Sequence, residues 1–241
     1  MKVRRSRSLR LILCALIAAV VLVVIVIALL ARPFGSGDDH RPTARPSVPS
    51  VTSPTPSSAR GAVVDPRVAQ RGWVPEPITR DQDTYARAAL EAAGSFDTRK
   101  AARAEWLTWL DTWFTPSPLY TNRQDALDQM AGYQAELDES VVLPQQMWDS
   151  LASEGGRVTA QIKGDIAYLD LPETSAQHMW TASADMVMHY TRTADGQEVS
   201  YDETVRASVQ VVCGGKSVPT ANSAQRAGDC KVVRYFDSAV G

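Results

Sequence analysis

The chain has 241 residues, with 25 Lys+Arg against 27 Asp+Glu, 44% hydrophobic and 22% charged residues. These proportions fit one globular domain with appendages and exclude a collagenous chain, a wholly disordered chain and a disulfide-dense miniprotein. Charge is unevenly spread: residues 1–31 carry five basic residues and no acid, whereas residues 79–241 carry 14 basic and 23 acidic residues. The acidic part is the part able to fold, so nucleic acid is not an expected partner.

Lys2, Arg4, Arg5, Arg7 and Arg10 make residues 1–10 a short basic tail. Leu11 to Ala31 follows without a charge, a Pro or a Gly. As a helix this run spans roughly 30 Å, the thickness of a bilayer core, so 11–31 is expected to be a single transmembrane helix. It is longer than the core of a cleaved signal peptide, and Leu29-Leu30-Ala31 lacks a small-x-small cleavage site. Basic residues before it and Asp38 and Asp39 behind it put the N-terminus in the cytoplasm and residues 32–241 outside the cell membrane. Cys14 reads as a small apolar residue of the span.

Residues 32–72 read as a linker. Within 33–60, six Pro, six Ser and three Thr leave almost no apolar periodicity. Such a stretch cannot offset its ordering entropy by burial, and its Pro content favours a stiff extended spacer. Val63, Val64, Trp73 and Val74 are expected to dock on the domain at 73–241.

The domain opens with a helical pattern. Thr79-Arg80-Asp81-Gln82 matches a capping box, and Gly94 sits where a glycine would stop the helix. Asp97 or Thr98 is expected to cap a second helix, whose apolar face is Ala102, Trp106, Trp109, Leu110 and Trp113. Thr121–Gln124 is another capping box, ahead of Ala126, Met130, Tyr133 and Leu137. Pro144 starts a short helical turn through Trp148.

After Gly155-Gly156 the period becomes two. Arg157–Lys163 and Ile166–Leu171 flank Gly164-Asp165 and read as a hairpin. Two strands of about 15 residues then alternate around the turn Ala194–Gln197, far above the usual length of 5–6. Lys231–Asp237 reads as a last strand. Helices first and antiparallel strands after give an α+β fold, with helices packed on one face of the sheet. The polar strand face is left to solvent or a partner.

Cys213 and Cys230 bracket the loop before the last strand. Outside the membrane they are expected to form a disulfide, because their spacing fits no metal or redox motif. The three His residues are scattered, and there is no Gly-rich phosphate loop, H-E-x-x-H, G-x-S-x-G or calcium loop. No cofactor, no metal and no catalytic constellation are therefore expected.

The order of basic tail, single span, Pro-rich spacer, helices and long antiparallel sheet resembles the bitopic assembly subunits of type IV secretion and conjugation machines. Phe96-Asp97-Thr98-Arg99-Lys100 through Trp106, Trp113 and Phe114-Thr115-Pro116 resembles small membrane proteins of GC-rich Gram-positive bacteria, and 20 Arg against 5 Lys agrees with such a genome. The resemblance implies a nuclear-transport-factor-2-like fold over 79–241, a curved sheet wrapped against helices. It also implies scaffolding within an envelope complex, with the membrane, other transfer-machine proteins and a second copy of the chain as partners. No catalytic residue is carried over.

The same fold hosts enzymes and ligand binders, so an extracytoplasmic small-ligand-binding or small-molecule-modifying domain is the alternative. Its candidate pocket residues are Glu203, Tyr201, Tyr190, Trp106, Trp109 and Trp113. Glu203 breaks an apolar strand row, and is either a buried base or a surface acid near the turn. The Trp set either lines a pocket or fills the core. Asp185 and His189 share a strand face but lie about 13 Å apart, too far to act as a dyad.

Overall fold

The structure is a computed structural model that describes residues 61–170, 178–238 and 240. The expected tail 1–10, the span 11–31 with Cys14 and the Pro-rich stretch 33–60 lie outside the described residues. Among the described residues, no helix is long and apolar enough to cross a membrane.

The folded unit begins well before Trp73. Asp65 accepts a hydrogen bond from the Arg67 N–H and caps a 3-10 turn, Pro66–Arg71, which Gly72 closes in a left-handed conformation. Val68 and Trp73 are buried. Val64 N–H donates to Glu76 O, and Ile78 N–H to Ala62 O. Backbone pairing, added to the docking of Trp73 and Val74, moves the linker boundary to about residue 61.

Helix α1, Gln82–Gly94, is capped by Asp81, whose carboxylate accepts from Thr84 N–H. Thr79 Oγ1 instead takes the Asp81 N–H, so the helix starts later than the Thr79 box suggests. Gly94 does not end α1 in a left-handed conformation. A Cβ there would stand 2.7 Å from Ala160 Cβ and 2.9 Å from Met188 Sδ, so the glycine lets helix and sheet approach.

Asp97 does not cap a helix. It lies in the short strand β1, Phe96–Asp97, opposite Arg157, and accepts from Arg99. Helix α2, Arg103–Asp111, starts where Glu105 reaches back to the Ala102 N–H. Ala102 is exposed, and the buried residue at that end is Arg103, which donates to Leu143 O and to Asp138. Asn122 rather than Thr121 caps α3, Arg123–Glu136, which runs into a π turn, Leu137–Val141. Helix α4, Gln145–Ser153, follows Pro144 and buries Trp148.

Four long or central strands complete the sheet: β2 Arg157–Asp170, β3 Met179–Ala194, β4 Gln197–Val212 and β5 Lys231–Phe236. The order is β1-β2-β3-β4-β5, every neighbour antiparallel. The hairpin expected at Gly164-Asp165 is absent. Both flanks keep β3 as partner, and the four steps from Lys163 to Ala167 face the two steps from Asp185 to Ser183. The residues around Gly164 are thus an insertion that bends one strand rather than a reversal between two. Asp195 at φ +52° and Gly196 at φ +75° form a type I′ turn, whose twist suits the long β3–β4 hairpin. The helices cover one face of this curved sheet. Ala86, Ala89 and Leu90 of α1 share the core with Val158, Ala182 and Val209.

Cys213 and Cys230 form the expected disulfide. Closing that loop stabilises by about 3 kcal/mol in the chain-entropy view. Lys231, the next residue, forms an ion pair that the sequence did not suggest. Its Nζ lies 2.7 Å from Glu76 Oε1, with both side chains 1% exposed. Nζ also donates to Thr112 O and to Thr220 Oγ1, while Tyr85 Oη and Gln225 Nε2 donate to Glu76. Burial lowers the Lys231 pKa, opposed by the Glu76 charge, and burial first of all raises that of Tyr85.

Removing one partner of a buried pair leaves an uncompensated charge. Lys231→Met should therefore cost about 3–5 kcal/mol in urea unfolding of residues 61–241, and adding Glu76→Gln should restore part of that loss.

Candidate functional site

The two faces of the β3–β4 hairpin differ in chemistry because side chains alternate along a strand. On the inner face, Met186 and Met188 of β3 and Val205 and Ala207 of β4 look toward α1 and the segment 140–147. Together with Leu90 and Val142 they enclose a cavity of about 400 Å³. Nearer the turn, Tyr190 and Tyr201 stack with ring centroids 4.8 Å apart and planes 4° apart. They border a second hollow of about 250 Å³ with Met147 and Leu151 of α4.

Three of the six candidate pocket residues, Glu203, Tyr201 and Tyr190, meet along this inner face. Glu203 sits opposite Met188 in the ladder but is exposed, at the rim of the cavity. The buried base is therefore not formed, and the surface acid of the alternative reading is what is present. The Tyr190 phenol is half-buried, and its pKa is raised first by burial and then by the Glu203 charge and Tyr201.

The Trp set does not join them. Trp106 is fully buried between Phe96, at 5.0 Å, and Trp148, at 5.6 Å. Trp113 is fully buried against Tyr85 at 5.7 Å. Trp109 stacks on Trp73 at 5.1 Å. Trp106 and Trp113 are packed among other aromatics and are core, whereas Trp109 is half-buried and borders a separate hollow of about 460 Å³ with Asp65 and Asn222, away from the inner face.

The outer face carries a ladder of cross-strand ion pairs and hydrogen bonds. Asp185 and His189 each find a partner on β4 rather than each other. Arg206 Nη1 lies 3.0 Å from Asp185 Oδ1, and His189 Nδ1 lies 2.6 Å from Asp202 Oδ1. Arg157 reaches Glu198 with both terminal nitrogens, at 3.0 and 3.1 Å. Register decides these partners: Asp185 is opposite Arg206, and His189 is opposite Asp202. Among the described residues, no three His, Cys, Asp or Glu side chains cluster as a metal site.

A groove of about 1080 Å³ opens between α3, the loop 116–121 and the disulfide loop. Tyr120 and Val218 are exposed along it, and Leu119 is exposed on the same loop. Sequence reading missed this groove, because its walls come from segments about 100 residues apart that share no periodicity. Asp111 stands in its wall, with a pKa raised to about 6 by burial and by the Asp138 charge.

No protein-family model matches the chain, and no curated protein matches it. Solved structures do. One is an IcmL-like type IV secretion system protein from Legionella pneumophila, at 12% identity and TM-score 0.41, matched over 65% of this chain and 91% of that one. A second is the periplasmic domain of DotI, at 13% identity and TM-score 0.37, over 65% and 94%. A third is a periplasmic fragment of TraM, at 11% identity and TM-score 0.36, over 62% and 89%.

Asp111 gives a pH test. Its carboxyl holds a proton in the folded state up to about pH 6, whereas an unfolded Asp releases it near 4. Stability due to this group is therefore present below the unfolded value and is lost as pH rises toward 6. Asp111→Asn should raise the thermal midpoint at pH 7.5 and leave it nearly unchanged at pH 4.

Proposed function

We propose that the protein is a non-catalytic, membrane-anchored assembly component of an envelope complex, of the conjugative-transfer or type IV secretion kind. Residues 1–10 are cytoplasmic, 11–31 span the membrane, and the folded domain is held outside on the Pro-rich spacer. The observation that carries this reading is the order of those segments: a basic tail, a 21-residue apolar run and a spacer ahead of one α+β domain. The side chains of the domain support it. Asp185, His189, Glu198 and Asp202 lie along the outer strand face, each tied to a neighbour across the ladder, and Glu203 stands apart from them on the inner face.

The test is crosslinking in intact cells followed by affinity purification through a C-terminal tag and mass spectrometry. A transfer ATPase, a coupling protein or channel subunits are expected among the captured proteins. Recovery of no other membrane protein after crosslinking would remove the basis of the reading.

A second reading, extracytoplasmic binding of a small ligand, is favoured by the 400 Å³ cavity over Met186 and Met188. Native mass spectrometry of the purified domain separates the two. A retained small molecule that is lost in Ala207→Trp supports the second reading, and a mass equal to the bare chain supports the first.

A further inference from the structure

The inner face of the β3–β4 hairpin borders space that its own residues do not fill. Ala93 and Gly94 of α1 and Ala207 of β4 line the cavity of about 400 Å³, and none of them carries a side chain large enough to close it. The rest of its wall is apolar, with Leu90, Phe96, Val142, Met186, Met188 and Val205. A volume of this size lies within the range of small-molecule sites.

The charged groups that border this cavity do not cancel. Arg206 holds Asp185 on the outer face at 3.0 Å. Arg192, next along the inner face from Tyr190, is tied to Glu154, and Arg234 of β5 is tied to Glu136. Each of these arginines has its own acid. Glu203 and Asp237 line the same cavity, are exposed, and have no basic ion-pair partner among the described residues.

The two acids do not form a chelate. Ser208 pairs with Phe236, which sets Asp237 at the Ala207 end of the cavity. Glu203 lies four residues further along β4, about 13 Å away on an extended strand. Carboxylates at that spacing cannot share one metal ion, and the floor between them is hydrocarbon and thioether. Beside Glu203 stand the stacked rings of Tyr190 and Tyr201. After burial, the Glu203 charge is the next cause that raises the Tyr190 pKa, so phenol and carboxylate share one mouth of the cavity.

We propose that this cavity binds a small organic cation with an apolar body, a quaternary ammonium or a protonated amine. The head lies at the mouth against Glu203 and Tyr190, and the body lies over Met186, Met188 and Val205. The proposal rests on the small-ligand reading and names the ligand class for it.

Each part of such a ligand answers a feature of the site. Its body removes apolar surface from water, and Met side chains adapt to its shape. Its head stays partly hydrated at an exposed carboxylate and so escapes the full cost of burying a charge. A neighbouring Tyr ring adds attraction for a cation. An anion of the same shape would face two uncompensated carboxylates, and a neutral molecule would leave Glu203 unused. The site therefore selects by charge at the mouth and by size within.

The experiment uses the full-length chain in lipid nanodiscs, with the methionine ε-methyl groups labelled with carbon-13 for NMR. Hexyltrimethylammonium, hexanesulfonate and hexanol are titrated in turn. The cation should shift the Met186 and Met188 signals saturably and leave Met179, which packs in a separate cluster, unmoved. Hexanesulfonate should bind several-fold more weakly. Glu203→Gln should weaken the cation about five- to tenfold, the scale of one exposed charge contact, with the hexanol affinity and the thermal midpoint unchanged. Ala207→Trp should remove the response to all three. Equal affinity for the three probes, or a cation affinity indifferent to Glu203→Gln, would overturn the ligand class and leave the small-ligand reading standing. Met186 and Met188 signals that stay unmoved with every probe would overturn both.

Discussion

Glu76 and Lys231 meet at 2.7 Å with almost no solvent contact, and five separate segments, α1 with Tyr85 among them, converge in their cluster. Glu76 belongs to the entry segment, Thr112 to the end of α2, Thr220 and Gln225 to the disulfide loop, and Lys231 to β5. Two charges removed from water are costly unless every remaining hydrogen-bonding site is filled. Here the carboxylate accepts from Tyr85 and Gln225 besides the ammonium, and the ammonium donates to Thr112 and Thr220 as well. The cluster therefore forms only when all these segments are in place. It fixes the position of loops that carry little apolar surface of their own.

The disulfide acts on the same region. Cys230 precedes Lys231, and the bond to Cys213 ties the end of β4 to the start of β5. Cys230 N–H also donates to Thr79 O, just ahead of α1. The loop between the cysteines is consequently a wall of the outer groove, braced by covalent, ionic and backbone links together. At the other end of the sheet the bracing is ionic and backbone without a covalent link: Arg192 reaches Glu154, and Thr193 N–H donates to Glu154 O. Beyond Ala207 toward the turn, the β3–β4 hairpin keeps an exposed edge, an ion-paired outer face and an inner face of Met and Tyr. One end of the domain is locked, and the other is left with surfaces open to a partner.

The helices were legible because apolar residues recur at helical spacing around Trp106 and Leu110, and the long strands because Trp180–Tyr190 and Val199–Cys213 alternate. Errors fell where two local motifs were equally satisfied. Thr79 and Asp81 can both cap, and the choice depends on which N–H groups each oxygen reaches. Gly164-Asp165 suits either a reversal or an insertion, and β3 decides by pairing with both flanks. The candidate pocket divided along the same line. Tyr190, Tyr201 and Glu203 share a strand face, which a period of two reveals. Whether Trp106 and Trp113 face a hollow or other rings depends on Phe96, Trp148 and Tyr85, which no spacing connects to them.

The sequence alone determined the α+β class, the disulfide pairing and the two-faced hairpin. Each of these follows from composition or from a short-range period. Tertiary structure alone decided that Glu76 meets Lys231 across 155 positions, that Asp185 and His189 find partners on β4, that Glu203 stands in solvent, and that one edge of β4 stays free. The physical reason is the same throughout. Periodicity reports which face a side chain takes, whereas its partner is set by register and by the packing of distant segments, and neither leaves a local mark in the chain.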